Sequence, residues 1–390
     1  MTTPLPRLTD AHRRALLTTR HRLTPPLRAT TPEEATASVL ALHATDPASV
    51  YLSVAARQKE ASVGELERAQ YEDGTLVRML CMRRTVFVVP RDLAPVVDAA
   101  AARPVAARLR RDLLKVLAEQ LGYDEAKFTA VEREVTTALA ALGEATAAQL
   151  GEAVPELGER ILLAPGKAYE ARPKIANRFL GVMAAENRIR RGRPLGSWAS
   201  SQFRWRLVEP HPELPPAQAR AALVTRYLEV FGPATTEDVK WWTGWNLTDT
   251  RKALAETGAL PVALDHGEGH ALPADLEPPA PADPGVALLP ALDPTPMGWR
   301  HRDWYLDPAR TAGLFDTNGN IGPTIWWDGR IVGAWSQRAD GEIATHLFDA
   351  DVSAADLAAE TERLAAFFGD TRIRASFRTP LERGLYDGTL

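Results

Sequence analysis

A chain of 390 residues exceeds what one compact core usually organises, so two or more domains are expected. Hydrophobic residues at 45% and charged residues at 25% match ordinary soluble globular protein and exclude wholesale disorder. A single cysteine, Cys81, excludes an intramolecular disulfide or a thiolate metal cluster, and the net charge of −4 excludes a uniformly basic nucleic-acid coat.

No apolar run approaches the roughly 18 residues that cross a bilayer, so no membrane span is expected. The first residues carry scattered Arg and Asp without an apolar stretch, which argues against a signal peptide and for a reducing cytoplasm. Thr31-Pro32-Glu33-Glu34 reads as a capping box with proline in the first helical turn, and Ser62-Val63-Gly64-Glu65 as another. The capped helix from Pro32 is expected to run through Val39, Leu40 and Leu42, and Asp46-Pro47 to start the next one. His43 and Thr45 would then stand at a helix-to-helix corner. Leu76–Pro90 alternates well enough to be a two-stranded wing.

Two later stretches share Gly-x-Ala-Thr: Gly143 to Thr146 and Gly232 to Thr235. In each, the glycine ends a helix and the threonine caps the next, Thr146 with Gln149 and Thr235 with Asp238 or Glu237. Further helix and then polar β-prone segments follow, Arg188–Val208 in one copy and Ala259–Leu272 in the other. Helix, turn, capped helix, third helix and hairpin is the plan of a winged helix, and the first hundred residues fit it more loosely. Proline-rich segments at 209–217 and 272–285 read as linkers. Beyond Gly285 come short strand-like runs, Val286–Pro290, Thr324–Trp327, Arg330–Trp335 and Arg372–Phe377, with an Asp328-Gly329 hairpin turn and one helix from Ser353 to Gly369. The expected architecture is α+β: winged helices at 1–118, 119–210 and 211–284, then a small mostly-β, barrel-like domain at 285–390.

The charge is segregated. Arg160 to Arg206 holds eleven basic residues against Glu170 and Glu186, a local +9 in a chain that sums to −4. The chain has 39 arginines against 7 lysines, so abundance alone says little, but clustering makes a local field that attracts phosphates. The phosphate-binding candidates are Arg83 and Arg84 on the first wing, Lys174 and Arg178 on the helix after Pro173, and Arg188, Arg190, Arg191 and Arg193 on the second wing. Trp241 and Trp242 are adjacent, so they cannot share one helix face, and core packing is the expectation for both.

No phosphate-binding glycine loop, nucleophile elbow or zinc helix is present, and neither metal nor organic cofactor is expected. The most suggestive site is Leu42-His43-Ala44-Thr45-Asp46-Pro47, polar groups set beside an apolar helix face. Asp46 also has a simple reading as an N-cap, Thr45 as a hydroxyl bonded to local backbone and His43 as a corner histidine.

These residues resemble the AlkZ/YcaQ-type winged-helix DNA glycosylases. The family carries a Leu-Gln-Ala-Gln-Asp-Pro-like string where Leu42–Pro47 stands here, a Met-Arg-Gly-Thr wing at Met82–Thr85, Gly-Pro-Ala-Thr…Trp-Trp-Thr/Ser-Gly at Gly232–Gly244, and Leu-Leu-Pro-Ala-x-Asp-Pro at Leu288–Pro294. The resemblance implies three tandem winged helices in a C-shape with a C-terminal β-barrel. It further implies a monofunctional hydrolase that excises N7-alkylated guanine, in particular bulky natural-product adducts, from double-stranded DNA for repair or self-resistance. Such an enzyme would be a nucleoid-associated monomer, with His43, Thr45 and Asp46 as catalytic candidates. The chain departs from the family's pattern at His43 and Thr45, where glutamines are usual, at Arg84, where the wing has glycine, and at Phe87, where histidine is frequent. The rival readings are a non-catalytic winged-helix regulator and a genotoxin-sequestering protein.

Overall fold

The computed structural model describes residues 4–280, 282–348 and 351–390. The order helix, short strand, helix, helix, hairpin occurs three times. In the first unit it is Pro32–Ala37, Leu42–His43, Pro47–Arg57, Val63–Glu67, then strands Leu76–Leu80 and Val86–Pro90. In the second it is Glu125–Leu142, Glu144–Ala145, Ala147–Ala153, Ala176–Ala185, then Ile189–Pro194 and Phe203–Leu207. The third runs Pro216–Phe231, Thr236–Thr243, Leu247–Ala255, then Leu260–Leu264 and Gly267–Ala271, with a lone bridge from Ala234 to His270 standing for the short strand.

Local chemistry explains the helix starts. Thr146 and Thr235 each accept the backbone N–H three residues on, and the Gln149 and Asp238 side chains bond back to the cap backbone. The first helix is shorter than expected. It ends at Ala37, and Leu40 takes a left-handed φ of 64° that turns the chain into the strand Leu42–His43. The corner is therefore a strand paired to the wing, because the backbone of residues 42–44 finds partners on Val86–Pro90 that a continued helix would leave unpaired.

The helix Pro47–Arg57 is buried on every side, from Ala48 through Arg57. One face of the C-terminal sheet covers it: Val286, Leu288, Ile325, Val332, Trp335 and Ile343 share a core with Val50, Leu52, Val54 and Phe368. That sheet is an open four-stranded antiparallel meander, Ala287–Leu289, Thr324–Trp327, Arg330–Gln337 and Ile343–Leu347, where a barrel-like closure was expected. The fourth strand is Ile343–Leu347. Arg372–Phe377 forms no strand, and its Ile373 N–H donates to the Gln337 side chain. Asp328 and Gly329 both have positive φ, 47° and 68°, which is the geometry of the tight hairpin turn.

The second unit has a core of its own, drawn from Leu113 to Trp205. The helix Arg103–Leu121 contributes Leu113 and Leu117 to it, so position 118 falls inside a continuous helix. A further core joins the first unit, the third unit and the C-terminal region. The N-terminal strand Arg7–Leu8 pairs in parallel with Leu260–Leu264 of the third unit. None of the helices among the described residues is long and apolar enough to cross a membrane.

Candidate active site

His43 lies on the edge of the three-stranded sheet of the first unit, opposite Phe87, which is itself opposite Met79. Directly opposed residues of an antiparallel ladder project to one face, so His43, Phe87 and Met79 share a face and Leu42, Ala44 and Val88 take the other. Both faces pack on hydrophobic core. An imidazole in such a sheet is a costly placement.

His43 is 8% exposed, and its ring meets Phe87 edge-on, with centroids 5.3 Å apart. Its Nδ1 is sealed from solvent and has no hydrogen-bond partner among the described residues. Burial, and secondarily the charge of Arg83, push its pKa down to about 4, so the imidazole is neutral near neutral pH. Thr45 follows in the bend between this strand and the helix Pro47–Arg57, and it is exposed. The carbonyl of Ala44, between them, accepts from Arg78 Nη2 at 3.0 Å, which pins the segment.

Asp46 makes no hydrogen bond to His43 among the described residues. One carboxylate oxygen caps the helix Pro47–Arg57 by accepting from Ala48 N at 3.1 Å, and the other accepts from Ser376 N at 3.3 Å. Both oxygens are thus engaged by backbone donors, and the corner is tied to the C-terminal region.

The wing turn Met82–Arg84 stands beside His43. Arg83 and Arg84 both have left-handed φ, 54° and 58°, so the family's glycine at Arg84 occupies a conformation that favours glycine. Arg84 is exposed. Arg83 is half-buried and stacks on Trp241 of the third unit, its Cζ 4.2 Å from the ring centroid. Trp242 is core, as expected, whereas Trp241 lies at the core's margin under arginine.

The basic residues of the second unit fall into distinct groups. Lys174 and Arg178 are exposed, with no carboxylate within ion-pair distance among the described residues. Arg188 is held by Glu132 at 2.7 Å, and Arg193 by Glu72 at 2.7 Å and Glu67 at 3.5 Å. Arg191 lies over Phe203, 4.4 Å from its centroid, and Arg190 sits directly across the ladder from Arg206. The expected phosphate grip of the second wing therefore divides: two of its four arginines already have carboxylate partners.

Sequence reasoning missed the support of the corner. Arg57, the only charge in the apolar helix Pro47–Arg57, makes a bidentate bond to Asp293 at 2.8 and 2.6 Å, with both residues fully buried. Ser53, Thr295 and His21 complete the network. A lone charge ending an apolar helix was the available signal, because such a charge demands a buried partner. Arg302, whose Cζ lies 5.0 Å from the Trp241 ring, carried no signal at all.

A family model described as DNA glycosylase AlkZ-like matches residues 36–367. Among solved structures, the chain is similar to the Streptomyces sahachiroi DNA glycosylase AlkZ, with a TM-score of 0.72 at 19% identity, covering 94% of this chain and 98% of that one. A search of curated proteins returns no significant match.

Proposed function

The chain belongs to the AlkZ-like DNA glycosylase family, and from that premise we propose that it is a monofunctional glycosylase acting on bulky N7-alkylguanine in duplex DNA. The observation that carries this reading is the neutral, buried imidazole of His43, its Nδ1 unpartnered, beside an exposed hydroxyl and an arginine. N7 alkylation makes guanine cationic and a good leaving group, so no acid is needed to protonate it. Water attacks C1′ as the C1′–N9 bond breaks, the bonding pair leaves with the base, and His43 takes the water's proton. Thr45 accepts a hydrogen bond from that water. Asp46, bonded to two backbone N–H groups, holds the corner's shape, and positioning with electrostatics supplies the rest.

The three repeated units act as winged helices, the second beginning within the helix Arg103–Leu121 ahead of Leu113 instead of at 119 and the third running over 211–284, arranged in a C-shape around the duplex, with residues 285–390 buttressing the first. The protein works as a nucleoid-associated monomer in the cytoplasm, in repair or self-resistance. Arg83, Arg84, Lys174 and Arg178 contact phosphates, and Arg190 and Arg191 add to the field. Gln in place of both Lys174 and Arg178 should reduce the salt slope of duplex binding by about 0.9 for each phosphate left without its cation. Arg193→Gln should leave the slope nearly unchanged, since Glu72 and Glu67 already neutralise that charge. Equal slopes for wild type and the double variant would remove Lys174 and Arg178 from the interface.

The short Thr45 and the long Arg84 suit a large adduct better than a methyl group. Duplexes carrying N7-methylguanine or a bulky N7-guanine adduct, incubated with the protein and heated in alkali, should break at the lesion, with faster single-turnover release of the bulky base. Arg84→Gly should narrow that difference while relieving left-handed strain, so its loss of preference is not a loss of fold. Binding without breaks on either substrate would leave a DNA-binding regulator, and equal rates would refute the bulky-adduct preference.

A further inference from the structure

Two guanidinium groups share the indole of Trp241: Arg83 at 4.2 Å and Arg302 at 5.0 Å from the ring centroid. Stacking on an aromatic face holds a guanidinium plane without using its hydrogen-bond donors. Arg83 makes no hydrogen bond or ion pair among the described residues, and its Nε is sealed from solvent with no acceptor. Arg302 donates from Nε to the neutral carbonyl of Pro296 at 3.1 Å and forms no ion pair among the described residues. Two like charges are thus brought to one ring, neither with a carboxylate partner among the described residues. The repulsion is felt, since burial and then Arg302 push the pKa of Arg83 down to about 10. The terminal Nη donors of Arg83 have no acceptor among the described residues and are not sealed, so they are the groups an anion would meet.

The arrangement is built from three parts of the chain. Gly244, at the end of the helix Thr236–Thr243, comes so close that a Cβ there would lie 3.0 Å from Arg83 Cγ, with φ at 77°. The wing turn Met82–Arg84 of the first unit is therefore docked against the third unit, while Arg302 arrives from the C-terminal region. The turn Met82–Arg84 leads straight into the strand Val86–Pro90, with which His43 pairs opposite Phe87, so the cluster and His43 share one sheet.

We infer that Arg83 and Arg302, held on Trp241, form a receptor for one DNA phosphodiester beside the lesion. Its two non-bridging oxygens accept from both guanidinium groups, and the contact fixes the sugar of the damaged nucleotide against His43. This rests on the glycosylase reading for its location and on the paired guanidinium groups for its chemistry.

The test is equilibrium binding to undamaged duplex across a potassium chloride series, with wild type, Arg83→Gln, Arg302→Gln and the double variant. The double variant should lower the salt slope by about 0.9, because one phosphate is left without a cation, and each single variant by no more than that, because the other arginine stays on it. A double variant whose slope falls by twice as much would mean two separate phosphates, and an unchanged slope in the double variant would mean stacked arginines without a ligand; either result overturns the receptor. A scan of methylphosphonate linkages around an N7-methylguanine should find one neutral linkage that weakens wild type most, Arg302→Gln less and the double variant not at all. No such linkage also overturns it. If Arg83→Gln fails to fold, Arg302→Gln and the scan make the same decision. Because the slopes are measured without excision, a protein that binds this way and releases no base would sink the glycosylase reading and keep the receptor.

Discussion

His43→Ala is expected to slow single-turnover excision by about 10²-fold or more, the scale on which a general base contributes, while duplex affinity stays close to that of wild type. The pH profile carries more information than the rate at one pH. With the imidazole pKa held at about 4 by burial and by Arg83, the base is unprotonated through the neutral range. The wild-type rate should therefore stay level from neutrality downward and fall only near pH 4. An acid limb at the ordinary histidine value of about 6.5 would place His43 in water and contradict the buried geometry. Full activity in His43→Ala would remove it from the reaction. The same burial has a cost in acid. His43 and His21 have folded pKa values lowered to about 4 and about 3, so the unfolded chain takes up protons first. Their contribution to stability is whole above about 6.5, the unfolded value, and is lost as pH falls through the folded values.

Asp293→Ala is expected to cost about 3–5 kcal/mol, because it strands the fully buried guanidinium of Arg57 without its carboxylate. In a thermal scan this is a drop on the order of 10 °C. Asp293→Asn keeps the shape and can still meet Arg57 Nη1 and Ser53 through its oxygen, so it should lose less. The residue lies far along the chain from His43, yet it anchors the C-terminal end of the helix whose N-cap is Asp46. A melting temperature within about a degree of wild type for Asp293→Ala would show that Arg57 finds another partner and that the network is not what holds this helix.

Local signals made most elements legible. The caps at Thr146 and Thr235, the Asp328-Gly329 turn and the paired strands of three hairpins depend on neighbours a few residues apart, and the structure has them. Arg372–Phe377 misled because alternation is a local signal only: its backbone N–H groups go to side chains, Ile373 N to Gln337 and Ser376 N to Asp46, instead of to a neighbouring strand. His43 stood out in the sequence as a polar residue next to apolar ones. That it would sit on a strand followed from Leu40 taking a left-handed turn, which a leucine does not advertise. The charge count of the second wing was sound, but the partners of Arg188 and Arg193, namely Glu132, Glu67 and Glu72, come from other helices. Arg302 reaches Trp241 only through the fold, and no spacing rule joins them.

The division of the cores also sets an order of events during synthesis. Every residue of the second unit's core lies between Leu113 and Trp205, so this unit can close as soon as that stretch has left the ribosome. The first unit cannot. The helix Pro47–Arg57 waits for Asp293 to neutralise Arg57 and for Val332, Trp335 and Phe368 to cover its apolar surface. Residues made before the second unit are thus buried only after it. Until the C-terminal sheet arrives, the nascent chain carries a finished module behind an open, greasy N-terminal segment, which is the part a chaperone would have to shield.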